Sequence, residues 1–456
     1  MKQVLFRSRL ILITGIFVLD ILFSDAQVIK FQAVGFAGTT TNPAGTTTKH
    51  SMALGAIASQ GAGQSNQSGF FWGDLDYRPA QQASAIAFSS STPNQLTLSW
   101  TNGNGTRRLI VGHATNAVTA TLSSATGYTA NTAFGSGTEI GTSSGNFAVY
   151  DGTGTSVTIT NLSPSVVYNF KVFEYNGKYA LNNSNIEYQP GTATGNPASL
   201  TTLALAPASA ATALAFSTLT KNQSTVSWTN GTGARRIVIV KQGSAVNAAP
   251  VNGQTYASGT AFGSGADLGS ANFVSFDGSS NQTTVTNLLP NTLYYYQVVE
   301  YNGSGADDNY LLTSAPAASQ LTLTSEPVGQ NGTAITQSAF SANWAQVTGA
   351  ANYYIDVSDN PGFGTFVAAF QNKLVAGGST LTTGITGLNA GTTYYYRVRA
   401  ENGAGSSSNS STVSVLTVPL TPTVLSSSTA SAVSPVGGSR TTTRSAAASY
   451  RSEVVR

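Results

Sequence analysis

Residues 162–177 read LSPSVVYNFKVFEYNG, residues 288–303 read LLPNTLYYYQVVEYNG, and residues 388–403 read LNAGTTYYYRVRAENG. In each stretch a Leu is followed six positions later by a Tyr. From that Tyr onward, apolar residues alternate: Tyr168, Phe170, Val172; then Tyr294, Tyr296, Val298; then Tyr394, Tyr396, Val398. Period two over such a run marks a half-buried strand. Asn-Gly pairs close all three stretches at 176–177, 302–303 and 402–403, and recur at 102–103 and 230–231. They read as tight turns, where Asn and Gly tolerate positive φ.

Working outward, residues 94–105 (NQLTLSWTNGNG) and 222–233 (NQSTVSWTNGTG) are copies of one another. Each leads into a paired arginine and an apolar run, RRLIV from Arg107 and RRIVIV from Arg235. TAFGSG occurs at both 132–137 and 260–265. Trp100 and Trp228 are 128 residues apart, so the period is a whole domain and not a solenoid turn. Trp344 belongs to a third, more distant copy. The Trp-to-Tyr spacing is 68, 66 and 50 residues in the three units, so the first two carry 16–18 extra residues in the middle. Leu96, Leu98 and Trp100 fall on one face of a strand, as do Phe340, Ala342 and Trp344, while Val157, Ile159 and Leu162 point inward ahead of Pro164. No stretch of the body carries a 3.6-residue apolar stripe.

The composition agrees with strands. Of 456 residues 41% are hydrophobic, enough for packed cores, yet only 9% are charged against about 25% in an ordinary soluble domain. Ser, Thr, Asn and 47 Gly keep the surface polar, which suits strands joined by many turns. The absence of cysteine excludes disulfides, thiolate metal sites and thiol nucleophiles, and two histidines, His50 and His113, exclude a histidine-rich metal centre. The net charge of +3 sits at the ends. Setting aside Lys2, Arg7, Arg9, Asp20 and Asp25 in the leader and Arg440, Arg444, Arg451, Arg456 and Glu453 in the tail leaves 14 basic and 15 acidic residues. That balance gives no electrostatic footprint for nucleic acid.

The Leu-to-Tyr spacing, the upstream tryptophan and the closing strand together resemble the fibronectin type III family. In that family the tyrosine is the corner residue whose phenol bonds back to the chain. The resemblance covers about residues 81–418 and is closest at 391–405. It implies an all-β chain: three tandem fibronectin type III-like (immunoglobulin-like) β-sandwiches in a row, with Trp100, Tyr168, Trp228, Tyr294, Trp344 and Tyr394 in their cores. Units one and two look like enlarged bacterial variants. Similar domains occur in secreted bacterial proteins as spacers, adhesive modules and accessory parts of polysaccharide-degrading enzymes. Integrin-style adhesion does not carry over, because the loops at 176–185 and 302–310 lack Arg-Gly-Asp.

The expected organisation is a signal peptide at 1–26, an unassigned Gly/Thr-rich segment at 27–80, enlarged domains at 81–203 and 204–324, a third domain at 325–418, and a Ser/Thr/Ala-rich disordered tail at 419–456. The leader places three positive charges before an apolar stretch from Leu10 to Leu19, with Ser24 and Ala26 before the expected cleavage. That stretch is short for a membrane anchor, and no later run approaches ~18 apolar residues, so no membrane span is expected after cleavage.

No residue set forms a catalytic constellation. His113 follows a strand with nothing to orient it and reads as a surface histidine. Glu174 and Glu300 repeat within EYNG but on different domains, so they make no close carboxylate pair. Asp74/Asp76, Asp307/Asp308 and Asp356/Asp359 are short acidic pairs without a calcium loop, and read as solvated turns; the pair at 307–308 is the best of them. Gly135-Ser-Gly137 and Gly263-Ser-Gly265 lack the Lys of a phosphate loop and read as turn chemistry. Arg107-Arg108 and Arg235-Arg236 send one side chain outward and one inward, as a sandwich-edge or interdomain contact or as an anion site. Ten Asn-x-Ser/Thr sequons, among them Asn104, Asn161, Asn222, Asn281 and Asn331, are expected by chance in so Asn- and Thr-rich a chain.

The cluster Phe70, Phe71, Trp72, Asp74, Asp76 and Tyr77 reads either as a sugar-stacking platform or as residues that pair as strands or pack on unit one. The exposed Tyr295, Tyr301 and Tyr395 are further candidates for sugar contact. The expected role is therefore a non-enzymatic extracellular or cell-surface scaffold or adhesion protein without cofactors, whose partner is a protein or polysaccharide. The alternative is a carbohydrate-binding accessory protein associated with polysaccharide degradation.

Overall fold

A computed structural model describes residues 38–41, 47–50, 78–177 and 186–422. Strands β1 (Gly38–Thr41) and β2 (Thr47–His50) form an antiparallel hairpin in register from Gly38 opposite His50 to Thr41 opposite Thr47. This hairpin belongs to a unit of its own. The leader, the 70–77 cluster and the tail beyond residue 422 lie outside the described residues.

From residue 78 the chain builds eight strands three times over. The first set is β3 (Ser84–Ser89), β4 (Leu96–Thr101), β5 (Arg107–Ala114), β6 (Asn146–Gly152), β7 (Ser156–Ile159), β8 (Val167–Asn176), β9 (Glu187–Tyr188) and β10 (Ala198–Thr201). The second is β11 (Thr212–Ser217), β12 (Ser224–Thr229), β13 (Arg235–Gln242), β14 (Phe273–Gly278), β15 (Gln282–Val285), β16 (Leu293–Asn302), β17 (Asn309–Leu311) and β18 (Ala317–Leu321). The third is β19 (Gly329–Thr333), β20 (Ala339–Trp344), β21 (Asn352–Ser358), β22 (Lys373–Ala376), β23 (Thr382–Thr386), β24 (Thr393–Asn402), β25 (Gly405–Ser406) and β26 (Val413–Leu416). Every set repeats one topology. A three-stranded sheet, β3-β4-β7, goes with a second sheet ordered β10-β8-β5-β6 in which β9 also pairs with β8; the other sets follow strand for strand. This is a sheet-on-sheet sandwich with long connections crossing between layers, the fibronectin type III arrangement.

Each core forms where the inward faces meet. Leu96, Leu98, Trp100, Ile110, Tyr168, Phe170 and Val172 make the first; Val226, Trp228, Val238, Tyr294, Tyr296 and Val298 the second; and Phe340, Trp344, Tyr353, Ile355, Tyr394, Tyr396 and Val398 the third. The phenols of Tyr168, Tyr294 and Tyr394 accept the backbone N–H of Ser163, Leu289 and Asn389 at 2.9–3.0 Å, each five residues upstream. A buried hydroxyl thereby finds a partner in the turn it must close.

The enlarged connections between β5 and β6 and between β13 and β14, which contain the additional residues, form no strand. They run across the outer face of the β5–β8 and β13–β16 sheets, touching them through isolated bridges such as Glu139 with Phe147 and Asp267 with Phe273. Val118, Leu122, Tyr128 and Ile140 pack there on Leu109, Val111, Phe173 and Tyr175. Val246, Tyr256 and Leu268 do the same on Ile237, Ile239, Val299 and Tyr301. Strands β5 and β13 are therefore buried on both faces, which explains the unbroken apolar runs LIV and IVIV. Tyr301, expected at the surface, is only 2% exposed because this cover lies over it. Tyr295 and Tyr395 are half-buried.

Gly137 and Gly265 let the cover approach the sheet, since a Cβ at either would lie 1.9 Å from the carbonyl oxygen of Ala148 or Val274. In the third unit the outer face of β24 carries Arg397, Arg399 and Glu401 instead, and needs no apolar cover. Trp344 packs on Tyr353 with ring centroids 5.4 Å apart and is 1% exposed. Trp344→Ala should destabilise the third sandwich by about 3–5 kcal/mol. In calorimetry one transition should drop while those of the first two sandwiches stay in place.

Candidate functional site

Alternation along β8 places Glu174 on the inward face after Tyr168, Phe170 and Val172, and Glu300 has the same place on β16. Both are fully buried. A buried carboxylate must be paired and hydrogen-bonded. Glu174 Oε1 meets Arg108 Nε at 2.8 Å and accepts Gly103 N–H at 2.8 Å, while its Oε2 accepts Gly105 N–H at 2.9 Å. Glu300 takes Arg236 Nε at 3.2 Å and Nη2 at 3.0 Å, with Gly231 N–H at 2.9 Å. The arginines finish their bonding on backbone oxygens, Arg108 on Gly105 and Thr153, and Arg236 on Gly233 and Ser279.

Several sequence expectations change here. The inward arginines Arg108 and Arg236 serve neither an interdomain contact nor an anion site, because their charge is spent on a glutamate of the same sandwich. Gly103 and Gly231 are required for close approach and not for positive φ: a Cβ on either would lie 2.2 Å from a backbone oxygen.

The outward partners form a second, shallower constellation. Arg107 Nε donates to Tyr175 Oη at 2.8 Å, and Arg107 Nη2 lies 3.1 Å from Asp151 Oδ1. Tyr175 Oη in turn donates to the same Oδ1 at 2.6 Å. Arg235, Tyr301 and Asp277 repeat this triad with Arg235 Nη2 on Asp277 Oδ2 at 2.8 Å. Burial and the neighbouring Asp277 push the Tyr301 phenol up to about 12, and burial with Asp151 raises Tyr175 as well. Arg235 is held more firmly charged than usual by Asp277 and Tyr301.

Asp307 and Asp308 are not a solvated pair. Asp308 is 1% exposed and accepts Thr255 Oγ1 at 2.9 Å and Gly305 N–H at 3.1 Å, with burial holding its carboxyl above the ordinary range. Asp356, 3% exposed, also lies within its fold and not in a solvated turn. His113 is half-buried, its Nε2 2.9 Å from the Ser144 carbonyl. Among the described residues no cluster of three His, Asp or Glu could hold a metal ion. Glu174 and Glu300 are locked in ion pairs on separate sandwiches.

The described residues also form open concavities. In the first sandwich, Arg107, Tyr128, Thr129, Thr132, Tyr150 and Asp151 line an open pocket of about 320 Å³. In the third, Gln330, Asn331, Thr333, Asn343, Trp344 and Thr382 line an open groove of about 570 Å³. The expected ligand residues Phe71, Trp72, Asp74, Asp76 and Tyr77 lie outside the described residues, so neither concavity includes them.

The strand order defines the class: tandem fibronectin type III-like sandwiches. No family model matches the chain, and no curated protein sequence matches it. Among solved structures the chain is similar to chicken CNTN1 FN1–FN3 domains, at 16% identity and a TM-score of 0.27, over 75% of this chain and 100% of that one.

The third sandwich resolves the buried Arg–Glu position differently. Tyr353 and Ala400 stand opposite one another where Arg236 and Glu300 pair in the second. The Tyr353 hydroxyl accepts Val347 N–H at 3.0 Å and donates to the Gly378 carbonyl at 3.2 Å. Glu300→Ala alone leaves Arg236 buried and unpaired and should cost about 3–5 kcal/mol. Arg236→Tyr with Glu300→Ala should recover most of that loss, read as the denaturation midpoint of the second sandwich.

Burial alone would raise Asp356, but Asn372 N–H at 2.7 Å and the guanidiniums of Arg397 and Arg399 at 3.0 Å each hold it below the usual carboxylate range. A depressed folded value means stability present above the unfolded value of about 3.9 and lost as pH falls through the folded one. Asp356→Asn should therefore lower stability by about 2–3 kcal/mol near neutrality and flatten the acid limb of the third sandwich's melting curve.

Proposed function

We propose that the chain is a non-enzymatic, exported scaffold or adhesion protein in which fibronectin type III-like modules hold a defined spacing at or outside the cell surface. Its partner on this reading is a protein or polysaccharide and not nucleic acid. The observation that supports it most directly is the way each connection between sandwiches is held. Asn302 Nδ2 donates to the Leu205 carbonyl at 2.9 Å, Asn309 Nδ2 to the Ala204 carbonyl at 2.7 Å, and Ala204 N–H to the Asp307 carbonyl at 2.8 Å. At the next junction Asn402 Nδ2 reaches both the Thr322 carbonyl at 2.9 Å and Asn291 Oδ1 at 3.0 Å, and Lys221 pairs with Glu326 at 2.6 Å. A flexible linker would leave these backbone groups to water. The leader's order of charged, apolar and small residues supports export, and no helix among the described residues is long and apolar enough to cross a membrane.

Because the chain has no native cysteine, spin labels at Ser280→Cys and Ser408→Cys report the second and third sandwiches cleanly. A narrow distance distribution that broadens on Asn402→Ala is the expected result of a dipolar measurement. A distribution already broad in the parent chain removes the spacer reading.

A second reading, a carbohydrate-binding accessory protein, draws on the aromatic and acidic cluster from Phe71 to Tyr77. Glycan screening of residues 27–418 beside 82–418 tests it: saturable binding by the longer chain alone supports the cluster, and equal behaviour of the two removes it.

A further inference from the structure

The first two sandwiches are near copies, so a difference between equivalent positions carries information. Arg107, Asp151 and Tyr175 correspond to Arg235, Asp277 and Tyr301. In the second sandwich both Asp277 oxygens are engaged, Oδ1 by Tyr301 at 2.7 Å and Oδ2 by Arg235 at 2.8 Å. In the first, every bond falls on a single oxygen: Arg107 Nε at 3.2 Å, Arg107 Nη2 at 3.1 Å and Tyr175 Oη at 2.6 Å all meet Asp151 Oδ1. Asp151 Oδ2 and Arg107 Nη1 make no hydrogen bond among the described residues. Here the cover residues Tyr128, Thr129 and Thr132 and the strand residues Tyr150 and Asp151 line the open pocket of about 320 Å³.

The neighbouring position also differs. Tyr150 lines the pocket where the second sandwich has Phe276, and each ring packs against its core tryptophan, at 5.4 Å on Trp100 and 5.7 Å on Trp228. Tyr150 Oη accepts Gly154 N–H at 2.7 Å, and its own proton has no acceptor among the described residues. The pocket thus holds one spare carboxylate acceptor, a spare guanidinium donor and the exposed residues Thr129 and Thr132, with Tyr128 and Tyr150 in its wall. Arginine and aspartate cancel in charge, so neither an anion nor a cation is favoured. The volume is at the small end of the roughly 300–1,000 Å³ of ligand pockets.

We propose that this pocket of the first sandwich binds a neutral sugar ring. Adjacent hydroxyls would bridge Asp151 and Arg107, and the C–H face of the ring would rest against Tyr128 in the pocket wall. The site is separate from the 71–77 cluster and does not depend on the spacer reading, since it requires only the first sandwich to be folded. The second sandwich, with its triad closed on itself and Phe276 in place of Tyr150, has no such site.

The test is saturation-transfer NMR on the full chain with the methyl glycosides of glucose, galactose and mannose, and with glucuronic acid. At least one neutral glycoside should show saturable binding, in the millimolar range expected of so small a ligand, and glucuronic acid should bind no more tightly. Asp151→Asn should weaken that binding at least tenfold. Because Asp151 also holds Arg107 and Tyr175, Thr129→Phe provides a second variant: it fills the exposed mouth, should leave the melting temperature unchanged, and should abolish binding. Absence of saturable binding by all three glycosides overturns the proposal, as does binding that survives Thr129→Phe.

Discussion

In the two larger sandwiches the structure turns on a carboxylate that has been taken out of water. Glu174 and Glu300 sit on the inward side of the closing strand, where an unpaired charge would cost several kcal/mol. Satisfying them fixes three things together: the arginine at the start of the neighbouring strand, the glycine loop after the tryptophan strand, and the register between them. The next two residues continue the pattern outward. Tyr175 and Tyr301 anchor the surface triad under the cover, and Asn302 holds the connection arriving from the preceding sandwich. A four-residue motif thereby serves core, surface and junction in successive side chains, because Glu and Tyr alternate across the sheet and the Asn sits where the strand ends.

The third sandwich meets the same topological demand without burying a charge. Tyr353 replaces the arginine, Ala400 the glutamate, and the charges move to the outer face as Asp356 between Arg397 and Arg399. That exchange goes with the missing insertion. An outer face dressed in Arg and Glu satisfies itself through ion pairs such as Asp356 with Arg397 and Arg399, whereas one carrying Phe173 and Tyr175, or Val299 and Tyr301, must be covered by apolar side chains. The length difference between the units and the charge of their closing strands are two sides of one solution.

The fold was legible because its signals are local: Leu and Tyr six apart, period-two strands, and a tryptophan closing an alternating strand upstream in each unit. The cover was not legible, since Val118, Leu122, Tyr128 and Ile140 follow no period and gain their partners only across the sheet. One signal was present and unused. The alternation that points Phe170 and Val172 inward also points Glu174 inward, and an inward glutamate calls for the inward arginine on the paired strand. Tyr301 was misplaced for the same reason, its outer face being apolar only in the context of the cover. Of the candidate sites, the aromatic cluster lies outside the described residues, and the first-sandwich pocket depends on which carboxylate oxygen is engaged, a matter of a few tenths of an ångström that no sequence pattern encodes.

The repetition of the first sandwich in the second has a consequence for how the chain reaches its native state. Strands β4 and β12 share NQ-T-SWTNG and pair in the same register with their neighbours, so either could be accepted into the other's sheet while both units are incompletely folded, the characteristic misassembly of tandem repeats. What distinguishes right from wrong partners lies in the non-identical elements, Tyr150 against Phe276 and the two unlike covers. Synthesis from the N-terminus, which lets the first sandwich close before the second emerges, is thus the condition under which the repeat is safe, and refolding of the whole chain from denaturant is the condition under which it is most exposed to exchange.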